Sequence, residues 1–516
     1  MWKQLWAKKD LARLLNEMKS QDRLHRVLGP TALTSLGVGA IIGAGIFVMI
    51  GEAASKQAGP ALMLSFVVSA ITCVFAAMCY AEFASMAPVA GSAYTYSYTT
   101  MGELFAWIIG WDLILEYAVA SAAVAQSWSE YAAEFVMTVT PESWAPSLNA
   151  FFAKWGAAPI AFDEKLGFHA SGGVINLLAI LITAIVTTVL VIGIKESARF
   201  NTTMVLLKVG VVLFVIGVGI FFIKTENWTN DFAPYGYGGI SMPWESHTLH
   251  PTGMLAGAAT IFFAYIGFDS ISTHAEEAKN PQRDVPIAII GSLVICTILY
   301  ILVAAVLTGM VPFKEIPDKA PVASAFRAVD MKFAGGVISL GAVAGMTSVL
   351  LVMMLSQPRV LLAMARDGLL PEKFFGAVHE KFRTPYKSTI LTGVLVALAS
   401  SLLPRKALAD MVNIGTLLAF VLVCVAVMIM RRTNPNAERP FRAPFGPVIP
   451  VLGIITCLIL MLSLGPHNWL RLAVWLGIGM VIYFCYGKRH SHLGRELRSE
   501  ITQHGLTPTN PSPPKA

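Results

Sequence analysis

Glycines cluster within two long apolar runs of the sequence. The first run reads TSLGVGAIIGAGIFVMIG and places four glycines within nine residues, from Gly37 to Gly45. The second run reads AGAATIFFAYIGFDSISTHAEE and carries Gly267 in its middle, two residues before Asp269. Because a helix in lipid must satisfy its own backbone polar groups, we expect both helices to be interrupted at these glycines.

An interrupted helix frees backbone groups that can bind a ligand. Near Ile42–Gly45, the outer half of the first helix would expose N–H groups and the positive end of its dipole, which suits a carboxylate. Near Phe263–Ile266, free carbonyls could accept hydrogen bonds from an ammonium group. Together the two interruptions suit an α-amino acid. The alternative is that these glycines only permit close packing of helices.

One basic side chain, Lys208, lies seven residues into its apolar run. A buried ammonium group is costly, so an intramembrane lysine is a functional hypothesis by default. A buried amine can also exchange its proton near neutral pH. The alternative is that the side chain extends to the membrane surface.

Acidic side chains occupy two of the apolar runs. Glu116 lies within WDLILEYAVA, one turn after Asp112, and Asp269 follows the second interruption by about one turn. Glu116 and Asp269 could line a ligand path through the protein, where they would bind a basic side chain or relay protons. Alternatively, they cap freed N–H groups or pair with each other.

The composition requires a membrane protein to position these residues. Of 516 residues, 55% are hydrophobic and 13% charged, with a mean hydropathy of +0.65, whereas soluble domains are about 25% charged. Each span needs about 20 apolar residues. We predict an all-α membrane protein with twelve spans, at 33–51, 61–87, 103–135, 174–194, 201–224, 253–275, 287–312, 333–365, 388–404, 408–430, 448–465 and 469–486.

The two interruptions fall in the first and sixth predicted spans. Interrupted helices at corresponding positions of two halves indicate an inverted repeat with a binding site between the halves. We therefore predict two five-helix repeats, at 31–224 and 225–430, followed by helices 11 and 12 at 431–487.

Lysine and arginine set the predicted orientation. With the N-terminus in the cytoplasm, about 25 of the 38 Lys and Arg residues fall on the cytoplasmic side, as the positive-inside rule requires. Residues 1–30 are predicted to form a cytoplasmic segment with an amphipathic surface helix whose Trp2, Leu5 and Trp6 face lipid, or else a basic tail. Residues 488–516 are predicted to be a disordered cytoplasmic tail.

Four segments resemble a known transporter family, in the order and at the spacing found there. They are GVGAIIGAGIFV, GIKESARFNTTMVLLKVGVVLF, FFAYIGFDSISTHAEEAKNPQRDVP and QPRVLLAMARDGLLP. They resemble the amino acid–polyamine–organocation transporter superfamily, and more closely its cationic amino acid transporter branch and bacterial relatives. The resemblance runs from about Leu24 to about Gly487 and implies a leucine-transporter-like five-plus-five inverted repeat with helices 1 and 6 broken.

The resemblance also implies roles for individual residues. Backbone N–H groups of the stretch Ile42, Gly43, Ala44 and Gly45 would bind the substrate carboxylate, and carbonyls of Phe263, Ala264 and Ile266 would bind its amine. Phe263 would also shield the site from outside, and Met353 would line the side-chain pocket. Sodium-coupled members of this fold hold a cation between helices 1 and 8. In relatives that resemble this chain, a lysine on helix 5 places its amine there instead, and the resemblance gives this role to Lys208. We therefore predict proton coupling without sodium and without a cofactor.

These observations favour a secondary amino acid transporter in the plasma membrane, working by alternating access with L-amino acids and membrane lipids as its partners. Two substrate classes stay open. The family branch and the acidic residues Glu116 and Asp269 suggest a cationic carrier or exchanger for Arg or Lys, whereas the long Met353 side chain slightly favours small neutral amino acids. A channel or membrane sensor is the alternative class. We predict no enzyme and no metal site, since the sequence has no GxxxxGK[ST], HExxH or CxxC motif.

Overall fold

The computed structural model describes residues 2–9, 28–86, 92–163, 167–193, 198–240, 251–273, 275 and 278–503. Each of the twelve predicted segments contains helix, and we number these helices α1 to α12. The first six are α1 (Pro30–Ile41, resuming as Gly45–Met49, Ile50–Ala53 and Ala54–Ala58), α2 (Leu62–Met86), α3 (Glu103–Ile114, Leu115–Val119 and Ala120–Val139), α4 (Leu177–Ile192), α5 (Ala198–Gly219) and α6 (Met254–Ile261, Phe262–Tyr265 and Ser270–Thr273). The others are α7 (Pro281–Met310), α8 (Lys332–Arg366), α9 (Tyr386–Leu402), α10 (Arg405–Thr433), α11 (Val448–Leu462) and α12 (Pro466–Ile482, continuing as Tyr483–Gly487).

Short elements connect these helices. The helical ones are Trp2–Leu5, Gly59–Ala61, Ser92–Thr100, Glu142–Trp144, Ala145–Trp155, Ile220–Phe222, Glu226–Thr229, Phe313–Glu315, Pro321–Ala328, Glu372–Phe375, Lys488–His490 and His492–Gln503. Between α3 and α4, strands Ile160–Asp163 and Gly167–Ala170 form an antiparallel hairpin in which Ile160 pairs with Ala170.

Eight helical segments among the described residues are long and apolar enough to cross a membrane. One of them, Pro30–Met86, contains both α1 and α2. The apolar helices α4, α9 and α11 have 16, 17 and 15 residues, below the roughly 20 that a perpendicular span requires. By length and composition, the described residues thus contain eight segments able to cross a membrane. The sequence predicts twelve spans, and the structure does not confirm that number.

Contacts between helices follow a simple order along the chain. The first four helices each pack against the helix five places later: α1 against α6, α2 against α7, α3 against α8 and α4 against α9. In addition, α7 packs along α1, and α5 packs against both α1 and α8. The interrupted stretches of α1 and α6 therefore lie in the interior, surrounded by α2, α3, α7 and α8.

The first and last segments that the structure describes, 2–9 and 488–503, meet on one side of the helices, which we call the terminal side. There the buried carboxylate of Glu103, the first residue of α3, accepts hydrogen bonds from Gln4 Nε2 (3.0 Å), Tyr98 OH (3.1 Å), Tyr483 OH (2.9 Å) and the Ser491 hydroxyl. Burial and the adjacent Glu103 raise the pKa of Tyr98, so its hydroxyl stays protonated and donates. The opposite side is the distal side.

Two expectations for the chain termini are wrong in the described residues. The predicted disordered tail 488–516 begins as ordered structure, because Lys488–His490 and His492–Gln503 are helical and Ser491 binds Glu103. Leu5, expected to face lipid, is instead buried within the protein, while Trp6 is exposed and contacts the ring of Phe105. Most of the predicted surface helix, 10–27, and residues 504–516 lie outside the described residues.

Candidate functional site

The interruption of α1 falls at Ile42 and Gly43, as the glycine pattern predicts. The terminal-side half ends at Ile41, and Ile42 adopts extended dihedral angles, φ −71° and ψ 103°. The chain returns to helical angles at Ala44 and continues as the wide turn Gly45–Met49. The N–H groups that begin this distal half have no preceding turn to receive them, so they are free in helical geometry to bind an anion.

The carbonyl groups that end the terminal-side half of α1 are bound by neighbouring groups. The Ile42 N–H donates to the Val38 carbonyl (3.0 Å), the Lys208 ammonium to the Gly39 carbonyl (2.5 Å) and the Tyr300 hydroxyl to the Ile41 carbonyl (3.0 Å). A cation at this position also meets the negative end of the helix dipole. The Ile42 N–H, expected to bind the substrate carboxylate, is thus already engaged within α1.

The interruption of α6 begins with the 3₁₀ turn Phe262–Tyr265, and helix resumes only at Ser270. Ile266 is extended, with ψ 136°. Gly267 has a φ of +114°, and a Cβ there would lie 3.0 Å from the Ala40 carbonyl oxygen. A side chain at this position would be both strained and obstructed, so glycine is required where α6 crosses the backbone of α1.

The two interruptions touch each other directly. A Cβ added to Gly45 would lie 2.2 Å from Ala264 Cα. The free N–H groups of α1 therefore lie beside the 3₁₀ turn of α6, whose Ala264 carbonyl accepts a hydrogen bond from Tyr300 (3.1 Å). The alternative that the glycines serve packing also has support, since a Cβ on Gly37 would meet Ile271 at 2.4 Å. The same glycine-rich stretch permits close packing and interrupts the helix.

One face of α8 borders the interruption of α1. Gly345 contacts the Lys208 side chain, since a Cβ there would lie 3.3 Å from Lys208 Cγ. One turn later, Val349 borders Gly43, whose added Cβ would meet Val349 Cγ2 at 2.8 Å. Met353, a further turn along, continues this face and is 4% exposed. The Lys208 side chain therefore lies between α1 and α8, and its role in place of a coupling cation stays a prediction.

Three carboxyl groups lie in the interior near the α6 interruption. Glu116 and Asp269 are fully buried neighbours, and Tyr117, the residue after Glu116, donates its hydroxyl to Asp269 Oδ2 (2.6 Å). Asp112 also acts on Glu116 electrostatically. Two adjacent carboxyl groups repel each other when both are ionised, so a shared proton or a positively charged guest would stabilise the pair.

Most of the carboxyl oxygens in this group have no protein donor. Among the described residues, both oxygens of Glu116, both of Asp112 and Oδ1 of Asp269 are buried without a hydrogen-bond partner. Glu116 also lies on the wide turn Leu115–Val119, a kind of irregularity that is frequent at functional sites. The structure thus brings Glu116 and Asp269 together, the contact that the alternative interpretation predicted, while their role as substrate ligands or proton carriers stays a prediction.

A polar cavity of about 520 Å³ opens on the distal side. Ion pairs cross it from Lys406 to Glu52 (2.8 Å), from Arg405 to Glu130 and from Lys56 to Asp318 (2.6 Å). Glu52 is seven residues beyond Gly45, about 10 Å along a helix. The cavity therefore lies beyond the interruptions, on their distal side.

Buried side chains close the central region from this cavity. Tyr131 OH donates to the Phe47 carbonyl (2.6 Å), and the two rings meet edge to face at 6.0 Å. Phe263, expected to shield the site, is buried as well. The groups at the interruptions are enclosed in the protein.

The sequence did not single out three tyrosines that bind or border the site: Tyr300, Tyr117 and Tyr80. Tyr80 OH is buried without a hydrogen-bond partner among the described residues, and it lies near Glu116 and Asp269. A tyrosine within an apolar run is the sequence feature that could have identified these residues, since a buried hydroxyl usually needs a hydrogen-bond partner. The partners of Tyr300 and Tyr117 lie on other helices, so residue spacing does not reveal them.

Long apolar helices around two interrupted ones define a multi-pass membrane transporter. The chain belongs to the amino acid permease family, whose model matches residues 28–484. It is 45% identical to the branched-chain amino acid permease BcaP of Bacillus subtilis (strain 168), over 95% of this chain and 99% of that protein. The predicted resemblance to the superfamily is therefore confirmed.

Other relatives bear names of different substrates. The chain is 41% identical to the methylthioribose transporter of Bacillus subtilis (strain 168), over 95% of this chain and 99% of that protein. It is 39% identical to the vacuolar cationic amino acid transporter 2 of Arabidopsis thaliana, over 81% of this chain and 61% of that protein. The family is thus established, while its named members differ in what they carry.

Proposed function

We propose that this amino acid permease is a secondary active transporter that carries L-amino acids with protons by alternating access. The observation that carries the proposal is the direct contact of the two interruptions, where Gly45 of α1 lies against Ala264 of α6. Free N–H groups of Ala44 and Gly45 would bind the substrate carboxylate. Carbonyls of Phe263, Ala264 and Ile266 would bind its ammonium group.

The proposed architecture has twelve spans in a five-plus-five inverted repeat. The packing of α1 to α4 against α6 to α9, each five places later, supports the repeat. Tilting or local thinning of the bilayer would accommodate the short helices α4, α9 and α11. With twelve spans both termini lie on one side, and the excess of Lys and Arg makes that side the cytoplasm. The membrane would be the plasma membrane.

Proton coupling would rest on Lys208. Its ammonium binds the Gly39 carbonyl at the negative end of the terminal-side half of α1, where a cation is favoured. Loss of the proton would remove the positive charge, weaken this bond and loosen the contact of α1 with α5. Because the amine occupies the space between α1 and α8, transport would need no sodium.

The substrate would be a small neutral amino acid. Met353 lies on the α8 face that borders Gly43, and its long side chain would shorten the pocket. BcaP is named for branched-chain amino acids, so a pocket for neutral side chains is compatible with the family. The second candidate is a carrier or exchanger of Arg or Lys, which the under-partnered carboxyl groups of Glu116 and Asp269 favour.

Thermal stabilisation of the purified protein tests the substrate proposal. The apparent melting temperature is measured with each of the twenty L-amino acids in sodium-free buffer, since a ligand that binds only the folded state raises it. Stabilisation by Ala or Ser but not by Arg supports the Met353-restricted pocket. Stabilisation by Arg or Lys alone supports the cationic carrier.

Counterflow in proteoliposomes tests the transporter class against the channel or sensor class. Proteoliposomes that contain a carrier and are loaded with unlabelled substrate accumulate labelled substrate transiently. Their rate of uptake saturates as the substrate concentration rises. A linear flux without counterflow would contradict alternating access. No chemical reaction is proposed, since the relatives are named as transporters and permeases.

A further inference from the structure

The hydroxyl of Tyr300 lies between the two interruptions. It is 3.0 Å from the Ile41 carbonyl oxygen on α1 and 3.1 Å from the Ala264 carbonyl oxygen on α6. A tyrosine hydroxyl has one proton to donate. Two acceptors at nearly equal distance therefore share one hydrogen bond, and neither receives it in full.

The position of this hydroxyl is fixed by packing. Tyr300 is fully buried, and its ring lies 5.5 Å from the ring of Phe66 on α2 and 5.5 Å from that of Tyr265 on α6. The hydroxyl is enclosed from solvent. Its proton therefore has two protein acceptors, and whatever occupies one of them changes what the other receives.

Each acceptor belongs to a different part of the mechanism. Ile41 is the last residue of the terminal-side half of α1, two residues after the Gly39 carbonyl that Lys208 binds. Ala264 lies against Gly45, where the proposed function places the substrate ammonium group. A single hydroxyl thus contacts both the amine site and the end of the α1 half that carries the Lys208 contact.

We propose that Tyr300 is a positioning residue that couples amine binding at the Ala264 carbonyl to the terminal-side half of α1. When an ammonium group donates to Ala264, the Tyr300 proton turns fully to Ile41, and the last turn of that half is held more firmly. When the site empties, the proton is shared again and the turn loosens. This inference rests on the proposed function, which supplies the amine at Ala264.

Amide hydrogen exchange of the segment 36–41 measures this coupling. In the wild-type protein, a saturating concentration of the L-amino acid that raises its melting temperature most, with L-alanine as the first probe, slows exchange of this segment about threefold. This is the change expected when a partial hydrogen bond becomes a full one. In Tyr300→Phe the ring remains, the hydroxyl is lost, and the same ligand leaves exchange of the segment unchanged.

Tyr265→Phe is the matched control. Tyr265 is equally buried, packs against Phe66 as Tyr300 does, and donates its hydroxyl to a backbone carbonyl, that of Phe66 on α2 (3.0 Å). Both variants lose one buried hydrogen bond, so a general loss of stability affects them alike. Only Tyr300→Phe removes a donor shared by the two interruptions, and Tyr265→Phe keeps the ligand-dependent slowing.

Three outcomes overturn the proposal. Equal slowing in wild type and Tyr300→Phe shows that the hydroxyl does not carry the coupling. Absence of slowing in a wild type that the ligand stabilises thermally overturns it also, and this measurement decides even if Tyr300→Phe does not fold. If none of the twenty L-amino acids stabilises the wild type, the proposed function fails and this inference fails with it.

Discussion

Helix α3 carries two buried glutamates whose surroundings are opposite. Glu103, at its start, accepts hydrogen bonds from four side chains brought by the chain termini, the Ser92–Thr100 helix and α12. Glu116, on the same helix, has no donor among the described residues and faces another carboxyl group, that of Asp269. A buried carboxylate with all its donors is a structural anchor. A buried carboxyl group without donors retains capacity for a proton or a ligand.

A similar contrast holds between two of the lysine contacts, those of Lys208 and Lys9. Lys208, fully buried, donates to a backbone carbonyl at the interruption of α1. Lys9, partly exposed on the terminal side, pairs with Asp367 at 3.3 Å. Glu116 and Lys208, in the centre, have few protein partners and can therefore exchange a proton or bind a ligand. Glu103 and Lys9, on the terminal side, are paired with protein side chains and serve stability.

The largest expected effect follows from changing Lys208. Lys208→Ala should reduce amino acid accumulation driven by a pH gradient by more than about tenfold, because a buried amine on the coupling path has no substitute. Uptake of labelled substrate into proteoliposomes, with and without an imposed pH gradient, measures it. Lys9→Ala is the matched control and should keep the response. Retained pH-driven accumulation in Lys208→Ala would contradict the coupling role.

The next effect separates the two glutamates by stability. Glu103→Ala should lower the free energy of unfolding by about 3 kcal/mol, because four buried donors lose their acceptor. Glu116→Gln should change it by less than about 1 kcal/mol, because the new amide can donate to Asp269. Thermal unfolding of both variants, relative to wild type, provides the comparison.

Transport should rank these two variants in the reverse order. Glu116→Gln should fold well and lose most of its substrate uptake, whereas any Glu103→Ala that remains folded should transport. If Glu116→Gln were the less stable variant, Glu116 would be a structural residue and the contrast along α3 would fail.

A smaller effect is expected at the side-chain pocket. Met353→Ser should admit larger substrates, so that the concentration of L-leucine or L-arginine that half-inhibits uptake falls about tenfold, as removal of a blocking side chain of this size allows. Competition against labelled L-alanine measures it. An unchanged substrate range would show that Met353 does not form the end of the pocket.

The smallest effect belongs to the terminal side. Lys9→Ala should destabilise the protein by less than about 1 kcal/mol, because the ion pair with Asp367 is partly exposed. Thermal unfolding is measured at low and at high salt. The difference in stability between wild type and variant should become smaller at high salt, because salt screens the ion pair. A difference that persists at high salt would mean that Lys9 contributes through packing.

The sequence predicts the elements whose cause is local. Four glycines in nine residues predicted the interruption at Ile42 and Gly43, and Gly267 marked the one in α6. The apolar run lengths located all twelve helices, but run length does not decide whether short helices such as α4 span a bilayer. The isolated charge of Lys208 was sufficient to select it, because a buried ammonium group needs a reason.

What the sequence does not predict depends on contacts between distant segments. Tyr300 binds carbonyls 259 and 36 residues away, a distance at which no spacing rule operates. The predicted role of the Ile42 N–H overlooked its bond to Val38. The tail 488–503 is polar, but its helix His492–Gln503 follows Ser491, which binds a buried glutamate that its own sequence does not reveal.

The bond between Ser491 and Glu103 has a consequence for biosynthesis. Of the four donors to Glu103, two come from Tyr483 and Ser491, which are synthesised nearly four hundred residues after α3 begins. During translation Glu103 has only Gln4 and Tyr98 available. These bonds can form only after the segment that carries Ser491 has left the ribosome, so a chain that stops before Tyr483 buries Glu103 with two of its four donors missing.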